Sequence, residues 1–485
     1  MMSKQMSIEY PSLNLYIDGA WLGAEGRDTI EVIDPASGQT IGALPSATPA
    51  DIDRALQSAM TSWPVWSGTP AAERGRIMKQ AAEILRARKA TIARILTWEE
   101  GKPLSEALVE LENAASQIEW MAEEGRRGYG RIVPGPPGVR QNVLKRPIGV
   151  AAAFAPWNFP ATTPARKLGA SLAAGCCCIL KGPEEAPATA IEIVRAFADA
   201  GVPRGVINLV FGMPAEISSH LIASPIIRKV SFTGSTTVGR KLAGLAAEAI
   251  KPITMELGGH APVLIFDDID VDKVVAQCIA SKYRNAGQVC VSPTRFYVHE
   301  NIYDTFTRSF ATAAASLKIG PGLTEGTQMG PLATPRRLST IDDMVADLRR
   351  TGARLLAGGE RLDQPGNFFA PTVFSEIPNQ ANAMREEPFG PITLLLPFND
   401  EDAVVEQANS TPYGLAAYGF TNDVSRQMRL SEELDVGMLG LNTFFINGPE
   451  TPWGGVKESG YGSEGASEGL EAYQITRLVV QSDSS

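Results

Sequence analysis

The sequence predicts an α/β protein with two doubly wound parallel sheets, each covered by helices on both faces, and a small additional β element. Two stretches carry this reading. From Gly149 the chain alternates short apolar strands with helices of about a dozen residues. Strands are expected at 149–155, 178–181, 206–210 and 229–233, with helices over 164–174, 188–200 and 215–222 between and after them. Parallel neighbours need a crossover to bring the chain back to the same end, so this alternation implies a sheet buried on both sides. A second series starts after Glu256-Leu-Gly-Gly-His260. It runs through a strand at 263–266, a helix over 271–284 and a strand at 296–298. Helices over 302–317 and 338–351 and a strand at 392–396 follow.

The other elements follow in chain order. Leu15-Tyr-Ile17 before Asp18-Gly19, and residues 30–33 before Asp34-Pro35, read as short strands closed by turns. Residues 52–63, 71–88, 90–99 and 104–124 carry apolar positions at three- and four-residue spacing and predict helices. Pro64, Pro70 and Gly101-Lys-Pro103 are expected to punctuate them. Residues 126–138 are rich in Gly, Pro and Arg and lead into an exposed strand over 139–146, expected to serve association; the tail ends in a β-like Leu478-Val-Val480.

Composition narrows the function classes. A chain of 485 residues has room for about three domains with proper cores. With 44% apolar and 20% charged residues it is neither disordered nor fibrous. A net charge of −10 without a basic block argues against nucleic acid as a partner. The longest uncharged apolar run, 168–180, is too short to span a bilayer and is broken by Gly169 and Gly175, so no membrane partner is expected. Residues 1–19 show no apolar core followed by a cleavage site, so no secretory signal is expected. The five Cys (176, 177, 178, 278 and 290) lack metal or disulfide spacing, and none of the three His pairs at ligand spacing with another His or a Cys. No metal site is expected, and the compartment is a reducing one, most simply the cytoplasm.

Several short motifs carry candidate chemistry. Cys290 lies between a turn-prone segment, 285–288, and a β-prone one, 296–298, where a thiol can be a nucleophile or a buried structural residue. Gly234-Ser-Thr-Thr-Val-Gly239 follows a strand and opens a helix, a place for a pyrophosphate or a plain serine cap. Lys181 and Glu184 end another strand of the same sheet, as ribose ligands or as an exposed ion pair. In Pro156-Trp-Asn-Phe-Pro160, Asn158 offers an amide for an oxyanion and Trp157 a flat wall for a planar cofactor, unless the loop is only a rigid turn. Glu256, carried by the flexible Leu257-Gly-Gly259 with room around it, can act as a general base or be merely solvated.

Pro156-Trp-Asn-Phe-Pro160, Phe232-Thr-Gly-Ser-Thr236, Glu256-Leu-Gly-Gly259, Gly287-Gln-Val-Cys290 and Glu386-Glu-Pro-Phe-Gly-Pro391 occur in a shared order and spacing. In this the chain resembles the NAD(P)-dependent aldehyde dehydrogenase superfamily over nearly its whole length. The resemblance implies that Cys290 attacks the aldehyde and that Asn158 and the Cys290 backbone N–H hold the oxyanion. Hydride would then pass to the nicotinamide, and Glu256 would activate the water that hydrolyses the thioester. It links Lys167 and Glu464 to proton relay. It assigns cofactor contacts to Trp157, Lys181, Glu184, Gly234, Ser235, Gly239, Leu257, Glu387 and Phe389. It also implies an NAD-binding domain of residues 1–125 and 147–256, a catalytic domain of 257–465, and an oligomerisation element of 126–146 and 466–485 serving a homodimer or homotetramer.

Glu184 matches a position whose carboxylate repels a 2′-phosphate, which favours NAD with NADP possible, although Gly182 and Pro183 depart from the family pattern. Arg166 and Arg284 match arginines that bind the distal carboxylate in the succinate-semialdehyde branch, which implies a short semialdehyde with an acidic tail. Ser292 stands where some members of this branch carry a second Cys, and Thr443–Pro449 does not supply the branch's hydroxyl. The alternatives are a broad-specificity or aromatic aldehyde dehydrogenase, with Trp453 and Phe444-Phe445 lining an apolar pocket, and, more distantly, a catalytically silent protein on the same fold.

Overall fold

A computed structural model describes residues 9–482. The rest of the sequence, including residues 1–8 of the stretch searched for a secretory signal and 483–485 of the expected β element, lies outside the described residues.

Val150–Phe154 and Cys177–Lys181 are buried along their whole length, as a sheet covered on both faces requires. They are the middle of the first sheet. Its spatial order is Ala20–Leu22, Leu15–Ile17, Ile207–Val210, Cys177–Lys181, Val150–Phe154, Ile227–Thr233, Ile253–Glu256 and Gly460–Tyr461. The inner strands from Ile207–Val210 to Ile253–Glu256 are parallel, and the flanking ones are antiparallel. The chain enters at Val150–Phe154, winds outward to one side, then returns to fill the other. The order therefore reverses between Val150–Phe154 and Ile227–Thr233, the kind of crevice where open α/β sheets bind ligands.

The second sheet repeats the logic. Its order is Arg354–Ala357, Thr372–Ser375, Ile392–Phe398, Pro293–His299, Ala261–Ile265, Ala416–Phe420 and Met438–Leu441. All pairs are parallel except the first, and the order reverses between Ala261–Ile265 and Ala416–Phe420.

The helices that matter for the site are α1 (Pro49–Gly68), α2 (Ala71–Glu100), α3 (Leu104–Glu124) and α4 (Thr162–Ala174). Two expectations fail here. Pro64 does not end a helix but lies inside α1. An internal proline costs about 3 kcal/mol, but two residues on Trp66 is fully buried and its indole N–H donates to the Leu172 carbonyl at 3.1 Å, anchoring the last turns to the core. The expected break near residue 89 is also absent, and α2 is one helix of 30 residues. Arg88-Lys89-Ala90 contains no breaker, and buried residues continue on both sides of it.

A third sheet has the order Gln474–Ser482, Val139–Pro147, Arg131–Val133. The strand over 139–147 is the central one of the three, with Arg140, Leu144 and Arg146 exposed. The sheet's outer strands are Arg131–Val133 and the C-terminal strand, whose Leu478 and Val480 are 58% and 55% exposed. Gly460–Tyr461 extends the first sheet, and Leu470 and Tyr473 pack into that sheet's core. Among the described residues no helix is long and apolar enough to cross a membrane.

Candidate active site

A cavity of about 480 Å³ lies at the switch point of the first sheet, between it and the second sheet. Cys290 reaches it from a loop that the sequence makes unusually tight. Asn285, Ala286 and Gly287 have φ of 49°, 52° and 75° in succession. Left-handed backbone is unfavourable for Asn and Ala, so side chains must hold the loop. Gln288 does so by donating to the Asn285 carbonyl (3.0 Å) and accepting from the Ala333 N–H (2.9 Å). Gly287 presses on the Gly390 carbonyl, where a Cβ would not fit. The Cys290 thiol is pushed up to about 12 by burial and by the charges of Glu387 and Glu256, against the pull of Arg166 and Arg284.

Asn158 follows the strand Val150–Phe154 and is buried; its amide donates to the Gln288 carbonyl at 3.1 Å, which leaves one N–H free. Glu256 is the last residue of its strand, and both of its buried carboxylate oxygens lack a hydrogen-bond partner. Burial, then the charge of Glu464, raise its pKa well above the usual carboxylate range, with Lys167 and Arg166 opposing. The expected flexible backbone after Glu256 is corrected by the structure. The Leu257 N–H donates to the Ser459 carbonyl (2.9 Å), and Ser459 Oγ donates to the Gly258 carbonyl (2.7 Å). The two glycines serve close approach instead: a Cβ at Gly258 would lie 2.5 Å from Glu387 Oε2, and one at Gly259 would strike the Cys290 carbonyl.

Behind Glu256, Lys167 Nζ meets Glu464 Oε1 at 2.5 Å and Ser231 Oγ at 2.9 Å, and Ser231 Oγ donates to the same carboxylate oxygen at 2.7 Å. Burial pushes Glu464 upward, but Lys167, Arg166 and these hydrogen bonds hold its carboxyl below the usual value. Two carboxylates in one region are thereby driven apart in pKa. Arg166, on α4, stacks 4.7 Å from the Trp453 ring, and its buried Nε has no partner. Arg284 lies 5.6 Å from the Phe159 ring. Both arginines face the cavity that holds Cys290 and Glu256.

The cofactor positions divide. Gly234, Ser235, Trp157, Leu257, Glu387 and Phe389 line the cavity. Ser235 caps the helix Thr236–Glu248, accepting from the Val238 N–H at 3.4 Å. The Trp157 and Phe389 rings meet edge-on at 5.7 Å. Glu387 accepts from the Gly259 N–H at 3.0 Å, and burial raises it to about 7. Lys181, Glu184 and Gly239 lie outside the cavity wall, as does Lys167. Gly239 packs against the Leu257 side chain. Lys181 Nζ pairs with Glu184 Oε2 at 2.5 Å, and Glu184 Oε1 accepts from the Gly212 N–H at 3.1 Å. Gly182 is explained by the Phe211 ring, which occupies the place of a Cβ. A helix start, an aromatic wall and a Lys–Glu ion pair at the end of the neighbouring strand suit a dinucleotide laid across the strand ends.

Sequence reasoning missed Ser231, Lys102, Glu110, Asn285 and Arg337 as parts of this site. Arg337 donates to the Pro388 carbonyl at 2.6 Å and steadies the Glu387–Phe389 segment. Lys102 was legible only as helix punctuation, since nothing local marks the partners it meets.

Parallel sheets, a switch-point cavity and a lone cysteine facing an unpartnered carboxylate define a nucleotide-dependent oxidoreductase working through a thiol. The profile described as "Aldehyde dehydrogenase family" matches residues 21–479. The chain belongs to the aldehyde dehydrogenase family, and its reaction is the NAD(P)-dependent oxidation of a small aldehyde. It is 44% identical to the glutarate-semialdehyde dehydrogenase of Pseudomonas putida over 459 residues, 94% of this chain and 95% of that one. The NADP(+) succinate-semialdehyde dehydrogenase of Escherichia coli is 42% identical, with 94% and 95% covered. The crystal structure of succinate-semialdehyde dehydrogenase from Burkholderia pseudomallei superimposes with a TM-score of 0.95 at 42% identity, covering 97% and 98%.

Proposed function

We propose that the chain oxidises a short semialdehyde with a carboxylate tail, such as succinate or glutarate semialdehyde, to the dicarboxylate. Cys290 is the nucleophile. Cys290 gives up its thiol proton to water, its sulfur adds to the aldehyde carbon, and the oxyanion accepts from the free N–H of the Asn158 amide and from the Cys290 backbone N–H. Bound along Trp157, Gly234, Ser235, Leu257, Glu387 and Phe389, with its adenosine end toward Lys181 and Glu184, the dinucleotide supplies the hydride acceptor. Glu256 takes a proton from the water that attacks the Cys290 thioester, and expulsion of the thiolate releases the acid. The raised pKa of Glu256, caused first by burial, makes it a stronger base toward that water. Lys167 and Glu464 pass the proton onward.

The observation that carries the substrate class is the buried Nε of Arg166, left without a partner beside Cys290 and Glu256, with Arg284 facing the same cavity. A buried guanidinium is costly unless an anion completes it. The testing experiment compares kcat/KM for succinate semialdehyde, glutarate semialdehyde, butanal and benzaldehyde in the wild type and in Arg284→Leu. A preference of about a hundredfold for the carboxylated pair, about 2.7 kcal/mol, is expected in the wild type. In Arg284→Leu that preference collapses mainly through KM. A flat wild-type profile would instead make this a broad-specificity aldehyde dehydrogenase and both arginines bystanders.

The named relatives' substrates and the two cavity arginines support the same reading. The free state of all five cysteines agrees with a reducing compartment such as the cytoplasm. The unpaired edge of Gln474–Ser482 supports assembly into a homodimer or homotetramer.

A further inference from the structure

The Asn158 peptide is held in an unusual way. Its carbonyl oxygen accepts from two side chains, Lys102 Nζ at 2.8 Å and Asn285 Nδ2 at 3.1 Å. Residues 155–160 belong to neither strand nor helix, so no regular backbone ladder sets the plane of this peptide. Side-chain donors must set it instead. Lys102 is fully buried and has little freedom: its ammonium lies 2.6 Å from Glu110 Oε2, 3.9 Å from Glu100 Oε2 and 4.3 Å from the centre of the Phe159 ring. Glu110 in turn uses Oε1 to accept from the Ala161 and Thr162 N–H groups (2.9 and 3.3 Å) at the start of α4, the helix that carries Arg166 and Lys167. Asn285 is fixed from the same side, its N–H donating to Glu106 Oε2 at 2.8 Å. One buried network thus joins α3, the Asn158 loop, the start of α4 and the cysteine loop.

We propose that Lys102 is a positioning residue of the oxyanion site, fixing the Asn158 peptide so that the free N–H of its side chain points at the oxygen bound to the reacting carbon. This rests on the reading of Asn158 as an oxyanion donor. The Asn158 amide spends its other N–H on the Gln288 carbonyl, so a rotation of the peptide would move both the donor and the cysteine loop. A hydrogen bond aimed at developing charge loses most of its effect when misdirected. Lys102 touches neither the reacting atoms nor the cysteine, and its contribution passes through Asn158.

The test is a double-mutant cycle in the full-length enzyme with succinate semialdehyde. Asn158→Ala, Lys102→Met, Lys102→Arg and the double variant Asn158→Ala/Lys102→Met are compared for kcat, KM, dinucleotide affinity and melting temperature. Asn158→Ala is expected to lower kcat about 10²–10³-fold. Lys102→Met lowers kcat by on the order of tenfold or more in the wild type, with KM and dinucleotide affinity within about twofold. In the Asn158→Ala background it lowers kcat no further. Lys102→Arg recovers part of the loss by restoring a donor. Equal fold losses from Lys102→Met in both backgrounds would overturn the inference while leaving Asn158 as the donor. An unaffected kcat in Asn158→Ala would overturn the oxyanion reading itself, and the inference with it. If Lys102→Met does not fold, Glu110→Gln takes its place, since it keeps a carbonyl oxygen for the start of α4 but frees the ammonium. The same non-additivity with Asn158→Ala is expected, and additivity overturns the inference.

Discussion

Two fully buried lysines flank the cavity, and their surroundings differ in one respect. Lys167 pairs with Glu464 and Ser231, and the next carboxylate beyond them is Glu256, whose oxygens are both without partners. Lys102 pairs with Glu110, whose two oxygens are both used, and with the Asn158 carbonyl. Partnerless oxygens occur on both sides, Glu100 Oε1 and Asn285 Oδ1 near Lys102 and both oxygens of Glu256 beyond Lys167, but of these three residues Glu256 alone lines the cavity. Burying an unpaired polar group costs about 1–3 kcal/mol, more for a charge. A fold that tolerates the cost at Glu256 keeps that carboxyl free for a proton. On the proposed reading, the Lys102 wall sets geometry and the Lys167 wall moves protons.

The sharpest break between the walls is Glu256→Gln, which keeps shape and removes the base. Steady-state kcat is expected to fall about 10²–10⁴-fold. The first turnover, read as a burst of reduced dinucleotide equal to the enzyme concentration, is expected to survive because the amide blocks only thioester hydrolysis. Loss of the burst together with kcat would place Glu256 before the thioester and erase the distinction.

A smaller effect separates the walls by pH. Glu256 must be ionised to act, and its pKa is raised, so kcat increases with pH along a limb above the ordinary carboxylate range. Burial is the first cause of that rise and the charge of Glu464 the second. Glu464→Gln removes the second, so the limb should move to lower pH. Lys102→Met should lower the plateau and leave the limb in place. A limb unmoved by Glu464→Gln would separate Glu464 from the base it is proposed to serve.

The same contrast explains what could be read from the sequence. The winding of both sheets was legible because alternating short strands and helices are local patterns, and Cys290, Asn158, Glu256, Gly234 and Ser235 were legible because each sits in a short motif at a strand end. Lys167 and Glu464, 297 residues apart, were found only through resemblance. Lys102 and Ser231 were not found, because a buried lysine between Gly and Pro, or a serine inside a strand, has no local mark of its partner. Pro64 misled for the opposite reason: a strong local signal was outweighed by the burial of Trp66 two residues on. The pairing of Gly460-Tyr461 with Met255 and Glu256 was not legible, since nothing in those two residues announces it.

The smallest effect expected is at the far end of the dinucleotide site, where the chemistry of neither wall reaches. Glu184 is fixed from two sides, by Lys181 at 2.5 Å and by the Gly212 N–H at 3.1 Å, so its carboxylate has little freedom to swing away from a ribose. A phosphate with nearly two charges about 5 Å from that carboxylate costs about 1–2 kcal/mol even at the dielectric of water, or about tenfold in affinity. Lys181 offsets part of this, because the same ammonium that holds Glu184 would attract the phosphate. Glu184→Gln removes the repulsion and frees Lys181, and the ratio of kcat/KM with NAD to that with NADP should fall by about tenfold, with kcat for either cofactor little changed. A ratio that stays fixed would mean that the Lys181–Glu184 pair keeps its charges for each other and that cofactor choice is made elsewhere along the strand ends.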